Sequence, residues 1–260
     1  MELAQRILVV IRFECRRGMI LSRVATALVL AVFPLALVLL VRTQGGDLET
    51  GPRGPGILFA LLPGLTCLMC LLLWAIPAIH SEVEGSTWPY LAVRPGGKSA
   101  VLLGKYLTAV AWTTAVGWLG VSLCAMTMRL SDRLETWCVL GILILLSALA
   151  YGALFVLLGV VFLRRAMVLA VGYAFIMEFL TGFIPAVIHR FTIQYHLRSL
   201  LSQWTGWTPA SLGGAFHQLS LFSPWPAWGH LLALLGGTAA LLAAAGCILR
   251  QRELIKPESE

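Results

Sequence analysis

Six long runs of apolar residues restrict the fold of this chain more than any other feature. A helix needs about 20 apolar residues to cross the ~30 Å hydrocarbon core of a bilayer. Only 12% of the residues are charged, about half the fraction usual in a soluble domain. The sequence therefore excludes a soluble globular enzyme and predicts an all-α, polytopic membrane protein with six transmembrane helices. The predicted spans are 24–41, 57–79, 102–126, 137–162, 166–187 and 228–249.

The distribution of Lys and Arg predicts the orientation of these spans. With the N-terminus in the cytoplasm, 13 of the 19 basic residues lie on the cytoplasmic side, as the positive-inside rule expects. Both termini are then cytoplasmic, and the protein belongs in the inner membrane of a bacterial cell. The longest connection, 188–227, lies outside the cell. It is rich in Trp, Tyr and His, and its segment 191–201 is expected to form a short interfacial helix.

Residues 1–22 form a separate segment before the first span. Leu3, Ile7, Val10 and Ile11 recur at helical spacing, whereas Gln5, Arg12 and Arg16 lie on the opposite face. This pattern predicts an amphipathic helix in the headgroup layer, in contact with membrane lipids. Glu14 falls on the apolar face and does not fit the pattern. The alternative is a solvated basic segment without membrane contact.

The predicted cytoplasmic loop 80–101, between spans two and three, carries both signs of charge. Two acids, a glycine and a threonine follow span two, and a short apolar segment then ends at Pro95-Gly96-Gly97. A compact segment of this kind at the membrane surface suits contact with a soluble partner. The alternative is an ordinary solvated loop.

The order of residues in and after this loop resembles a known pattern. The matching positions are Glu82, Glu84, Gly85, Thr87, Leu91, Pro95, Lys98, Gly104 and Lys105. They are similar to the first cytoplasmic loop of ABC-2 type permeases, the membrane subunits of ATP-binding-cassette exporters. Ser86 between the glycine and the threonine, and Trp88-Pro89 in place of a leucine-rich stretch, depart from that pattern.

The resemblance implies a function for the whole chain, 1–260, as one permease domain. The loop, including Arg94, would act as a coupling helix seated on an ATP-binding-cassette ATPase subunit. That partner would bind ATP and Mg²⁺ and hydrolyse the ATP, so this chain would be a transport subunit without a cofactor or enzymatic activity. It would work as a dimer with a second permease copy or a paralogue.

Several other sites are excluded on chemical grounds. Residues 92–99 match a relaxed phosphate-loop pattern, but no strand or second acidic motif accompanies them, so nucleotide binding by this chain is not expected. Cys67 and Cys70 lie inside an apolar run and are expected to be buried thiols, because thiolates are costly in hydrocarbon. His189, His196 and His217 have no spacing typical of a metal site. No motif for nucleic-acid binding is present.

Glu178 is the one acid deep inside a predicted span. A carboxylate there is costly, so it is expected either to line a translocation path or to accept a hydrogen bond from a neighbouring span. Two alternatives to a permease remain open. One is an intramembrane lipid-modifying enzyme or protease, and the other is a channel or secondary transporter.

Overall fold

The described part of the chain is helical throughout. The computed structural model describes residues 3–43, 53–77, 82, 96–128, 133–162, 165–174, 192–206 and 225–251, and these contain no strand. The elements are α1 (Leu3–Gly18), α2 (Leu21–Thr43), α3 (Arg53–Phe59), a π-helical segment (Ala60–Thr66), α4 (Cys67–Trp74), α5 (Gly97–Thr127), α6 (Arg133–Val161), α7 (Ala166–Tyr173), α8 (Ile193–Trp204) and α9 (Ala227–Gln251). The predicted all-α class is confirmed for these residues.

Five helices in the described ranges are long and apolar enough to cross a membrane. They are α2, the stretch Gly54–Trp74 that runs through α3 and α4, α5, α6 and α9. This set corresponds to five of the six predicted spans. The remaining span, 166–187, is described only as far as residue 174, and its first part forms α7. The helices are those of a multi-pass membrane protein.

Helix α6 forms the centre of the bundle. Its side chains Tyr151, Phe155, Leu140 and Leu143 are fully buried. Helices α5 and α9 pack along it on two sides, and α4 and α8 contact it as well. Most of its circumference is therefore in contact with protein, although Ile142 and Leu145 are exposed.

Helices α2 and α9 lie at the periphery and leave much of their surface exposed. On α2 the exposed side chains include Val29 and Leu40, and on α9 they include Leu232 and Leu235. Large exposed apolar faces are unfavourable in water but match the hydrocarbon of a bilayer. The outer faces of these two helices therefore fit contact with lipid or with another apolar helix.

The π-helical segment lies in the middle of the second predicted span and contains Pro63. Proline has no N–H to donate and so disturbs the backbone hydrogen bonds of a helix. Two hydroxyl groups donate to backbone carbonyls of this segment. The Ser147 hydroxyl donates to the Pro63 carbonyl at 2.6 Å, and the Thr66 hydroxyl donates to the Leu61 carbonyl at 2.9 Å. The distorted segment is thus hydrogen-bonded both to α6 and within itself.

The basic residues of the bundle are distributed unequally between its two ends. Lys98 Nζ donates to the Arg250 carbonyl at 3.4 Å, so the start of α5 lies beside the end of α9. At the other end of α5, Arg42 Nη1 donates to the Thr127 carbonyl at 3.2 Å. We call the end of the bundle with Lys98 and Arg250 the Lys105 end, and the end with Arg42 and Thr127 the His230 end. The Lys105 end holds Arg6, Arg12, Arg16, Arg17, Arg23, Lys98, Lys105, Arg165 and Arg250, whereas the His230 end holds Arg42, Arg53, Arg133 and Arg198.

Candidate functional site

Helix α1 packs against the first turns of α5, and Gly104 permits the close approach. A Cβ atom at Gly104 would lie 2.6 Å from Val10 Cγ1 and 2.8 Å from Val10 Cβ. Further along the contact, a Cβ at Gly18 would lie 2.7 Å from Nε1 of Trp112. Two glycines, one on each helix, therefore let α1 and α5 come together more closely than any larger residue allows.

The contact face of α1 follows from its sequence. Ile7, Val10, Ile11, Glu14 and Gly18 recur at helical spacing and are less exposed than their neighbours. Leu8, Val9 and Phe13 lie on the other side and are exposed. The predicted amphipathic helix is present, but the face with Ile7, Val10 and Ile11 is directed at α5 rather than at lipid. Glu14 lies on this face as well.

Lys105 follows Gly104 and connects α1 to the loop that precedes α5. Its Nζ lies 3.0 Å from Glu14 Oε1 and 2.7 Å from Glu82 Oε1. Arg17 Nη1 lies 3.5 Å from the same oxygen of Glu82. We call these four residues the Lys105 cluster. It joins three separate parts of the chain: α1, the loop 80–101 through Glu82, and α5.

The Lys105 cluster is shielded from solvent. The side chains of Lys105, Glu82 and Glu14 are 6%, 9% and 13% exposed, whereas that of Arg17 is 40% exposed. The ammonium group can donate three protons, and one oxygen of each of two carboxylates lies within ion-pair distance of it. Breaking a buried ion pair by removing one partner leaves the other charge buried and uncompensated, which is strongly destabilising. The cluster is therefore a tight link, whereas the long Arg17 contact adds little.

A small cavity lies beside the Lys105 cluster. Its volume is about 60 Å³, and Glu14, Arg17 and Lys105 form part of its wall. Trp74 and Trp112 also line it, and their rings stack with centroids 6.3 Å apart. Helix α5 has 31 residues and is about 46 Å long at 1.5 Å per residue. Since the hydrocarbon core is ~30 Å thick, α5 extends beyond it, and the cavity lies between the first turns of α5 and its midpoint at Trp112.

The His230 end carries a second polar group, formed by α8 and α9. Nδ1 of His196 and Nδ1 of His230 are 2.8 Å apart, which is a hydrogen bond whose direction depends on the tautomer. His230 is fully buried, and the rings of Tyr195 and Trp225 lie against it. Helix α8 agrees closely with the interfacial helix expected at 191–201, and its N-terminus is capped by the Thr192 hydroxyl. The histidine pair fixes α8 to the start of α9.

Replacing His230 by alanine is expected to weaken the docking of α8. The change leaves a cavity and removes the partner of His196 Nδ1, which is expected to cost about 1–3 kcal/mol. Hydrogen exchange over residues 192–206 checks this and should become faster. Gln203→Ala is the matched control, since its Nε2 donates to the Trp225 carbonyl at 3.0 Å on the exposed side. Equal exchange in the His230 variant and the wild type would contradict the role of the pair.

The predicted coupling residues fall into two groups. Glu82, Gly104 and Lys105 are brought together around α1. Lys98 lies nearer the start of α5, beside Arg250. The other predicted positions lie outside the described residues. They are Glu84, Gly85, Thr87, Leu91, Arg94 and Pro95, and the same holds for Glu178, His189 and His217.

The cysteines are free thiols. Cys67, Cys70 and Cys124 are buried, whereas Cys138 and Cys247 are exposed. Cys67 Sγ lies 4.0 Å from the Ile144 carbonyl. Burial among apolar side chains fits the expectation that Cys67 and Cys70 act as small apolar residues.

Several residues of these sites, among them Glu14, Arg17, Trp112 and His230, were not predicted from the sequence. Glu14 gave a signal, because an acid among apolar residues at helical spacing needs a partner, but that partner is distant in the chain. Trp112 and His230 gave none, since each is one aromatic residue inside a predicted span. Comparison with models of known protein families gave no match, and comparison with curated proteins gave none either.

Proposed function

We propose that this chain is the permease subunit of an ATP-binding-cassette exporter of the ABC-2 type. In this proposal the Lys105 end faces the cytoplasm of a bacterial cell, because most of the described basic residues lie there. The loop 80–101 docks on a separate ATPase subunit, which binds ATP and Mg²⁺. Two permease chains, identical or paralogous, then form the translocation path.

The observation that carries the proposal is the ion pair between Glu82 and Lys105. These residues are the first and last positions of the pattern that resembles ABC-2 permeases, and their charged atoms are 2.7 Å apart. The pair closes the loop at its base. A force on the loop is then passed to α5 through Lys105 and to α1 through Glu14.

The remainder of the bundle supports a mechanical role. Gly104 and Gly18 allow α1 to lie directly on α5, so a movement of one helix moves the other. Interiors packed in this way transmit strain and do not absorb it. Helices α2 and α9 leave apolar faces exposed, and these are available to a second permease chain and to lipid.

The test is to purify the chain together with its native partners and follow its response to ATP. An ATPase subunit is expected to accompany it, and ATP is expected to change hydrogen exchange over Leu3–Gly18. Glu82→Gln removes the charge that joins the loop to Lys105 but leaves the Glu14–Lys105 pair. It is expected to abolish most of the ATP-dependent change in α1, while Glu84→Arg is expected to release the ATPase subunit.

Glu135→Gln is the matched control, because Glu135 is exposed at the start of α6, at the His230 end. This variant should respond to ATP like the wild type. An equal response in Glu82→Gln contradicts the coupling role of the pair. If no ATPase subunit is recovered and the chain alone conducts ions or modifies lipids, the channel or the intramembrane enzyme replaces the permease.

A further inference from the structure

Two polar groups at the cavity beside the Lys105 cluster have no partner among the described residues. The indole Nε1 of Trp112 is buried and makes no hydrogen bond. Arg23 is partly buried in the cavity wall, and no carboxylate of the described residues lies within ion-pair distance of it. A buried donor without an acceptor is costly, and a partly desolvated guanidinium favours an anionic partner. Both groups therefore indicate a missing acceptor.

The charges around the cavity leave an excess of positive charge. Glu14 and Glu82 both bind Lys105, so neither carboxylate is directed at Arg23. Arg17 reaches Glu82 only at 3.5 Å and is 40% exposed. Among the described residues, the three cations Arg17, Arg23 and Lys105 thus stand against two carboxylates. An anion with several oxygens can accept from Arg23, Arg17 and the Trp112 N–H together, and phosphate has that geometry.

The volume of the cavity and the apolar side chains around it indicate which kind of anion would bind there. A volume of about 60 Å³ exceeds the ~10–15 Å³ that one water molecule needs on this measure, so a small oxyanion group fits. Leu73, Trp74 and Pro77 form an apolar part of the wall. Outside it, the turn between α1 and α2 exposes Met19, Ile20 and Leu21 by 70%, 54% and 84%. Apolar side chains next to an anion site offer a surface for acyl chains.

We propose that this cavity binds the phosphate group of an anionic phospholipid, with Arg23, Arg17 and Trp112 Nε1 as donors and the α1–α2 turn in contact with its acyl chains. The bound headgroup satisfies the indole N–H and neutralises Arg23. It also lies between α1 and α5, so it stabilises their contact. The site requires no ATPase partner, so its test is independent of the permease function.

The experiment measures thermal unfolding of the delipidated full chain in detergent. Dioleoylphosphatidylglycerol is the anionic probe, dioleoylphosphatidylcholine has the same acyl chains without net charge, and inorganic phosphate is the free anion. A ligand that binds only the folded state raises the Tm with its concentration. The wild type is expected to bind phosphatidylglycerol at least fivefold more tightly than phosphatidylcholine, with inorganic phosphate weaker still.

Two substitutions at the cavity should weaken this binding. Arg23→Gln removes the charge and is expected to reduce the affinity for phosphatidylglycerol by about tenfold. Trp112→Phe keeps an aromatic ring but removes the N–H donor, with an expected loss of about threefold. Arg16→Gln is a matched control on the exposed side of α1. Trp118→Phe is the other, since Trp118 Nε1 already donates to the Gly141 carbonyl at 3.0 Å.

Loss of the preference in both cavity variants, with both controls unchanged, supports the proposal. Wild-type affinity in Arg23→Gln overturns it, as does an equal loss in Arg16→Gln, which indicates general attraction to a basic surface. If inorganic phosphate stabilises the chain as strongly as phosphatidylglycerol does and depends on the same residues, the ligand is a soluble anion and the lipid assignment is wrong.

Discussion

Replacing Lys105 by methionine is expected to detach α1 from the bundle. The change leaves Glu14 and Glu82 close together without their cation, and both side chains are largely buried. Removal of one partner of a buried ion pair typically costs about 3–5 kcal/mol. We expect a clear fall in the Tm of the purified chain and rapid hydrogen exchange over Leu3–Gly18, while the exchange of α6 remains slow.

Two further variants separate the ion pair from other effects. Lys98→Met is the matched control on the same helix, where the lysine donates to the Arg250 carbonyl of α9 at 3.4 Å. It should leave α1 protected. Adding Glu14→Met and Glu82→Met to Lys105→Met removes all three charges, and buried ion groups replaced by apolar residues often regain stability. Slow exchange of α1 in the single Lys105 variant contradicts its role as the link.

Replacing Gly104 by alanine is expected to move α1 away from α5. The new methyl group would lie 2.6 Å from Val10 Cγ1, well inside van der Waals contact. Overpacking of this kind costs about 1–3 kcal/mol, and here the helix that moves carries Glu14. The expected result is faster hydrogen exchange over Leu3–Gly18 and a lower Tm, although alanine is the better helix former.

Gly236→Ala provides the contrast, because a Cβ at Gly236 has no atom within 4 Å. This change is expected to be neutral or to stabilise α9 by up to about 1 kcal/mol. In the double variant Gly104→Ala, Val10→Gly the colliding side chain is absent, so α1 should return to α5 in part. Failure of the double variant to restore any protection would show that Gly104 acts through something other than its contact with Val10.

The apolar runs predicted the spans well because crossing a bilayer imposes a length and a composition that few other structures share. The start of α5 was predicted less well. The helix begins at Gly97, whereas the apolar run begins at residue 102, because the extra turn lies outside the hydrocarbon, where lysine and serine are tolerated. Hydropathy reports the medium around a helix and not the hydrogen bonds that extend it.

The Lys105 cluster shows where prediction from sequence ends. Gly104, Lys105 and Glu82 were selected by their resemblance to a known pattern, but nothing in that pattern connects them to α1. In the sequence, Glu14 departs from the amphipathic pattern of this helix, because it is an acid on the apolar face. It is the residue that joins this helix to Lys105, and only the packing of α1 on α5 reveals the pair. A polar residue on an apolar face indicates that a partner exists without indicating which one.

The Lys105 cluster also sets an order of events during synthesis. Arg17 and Glu82 are 65 residues apart in the chain, and Lys105 is made later still. At about 5–20 residues per second, translation takes on the order of 3–13 s to cover that interval. Helix α1 therefore leaves the ribosome long before its binding site on α5 exists. Its exposed Leu8, Val9 and Phe13 suit contact with the membrane surface until that site has been made.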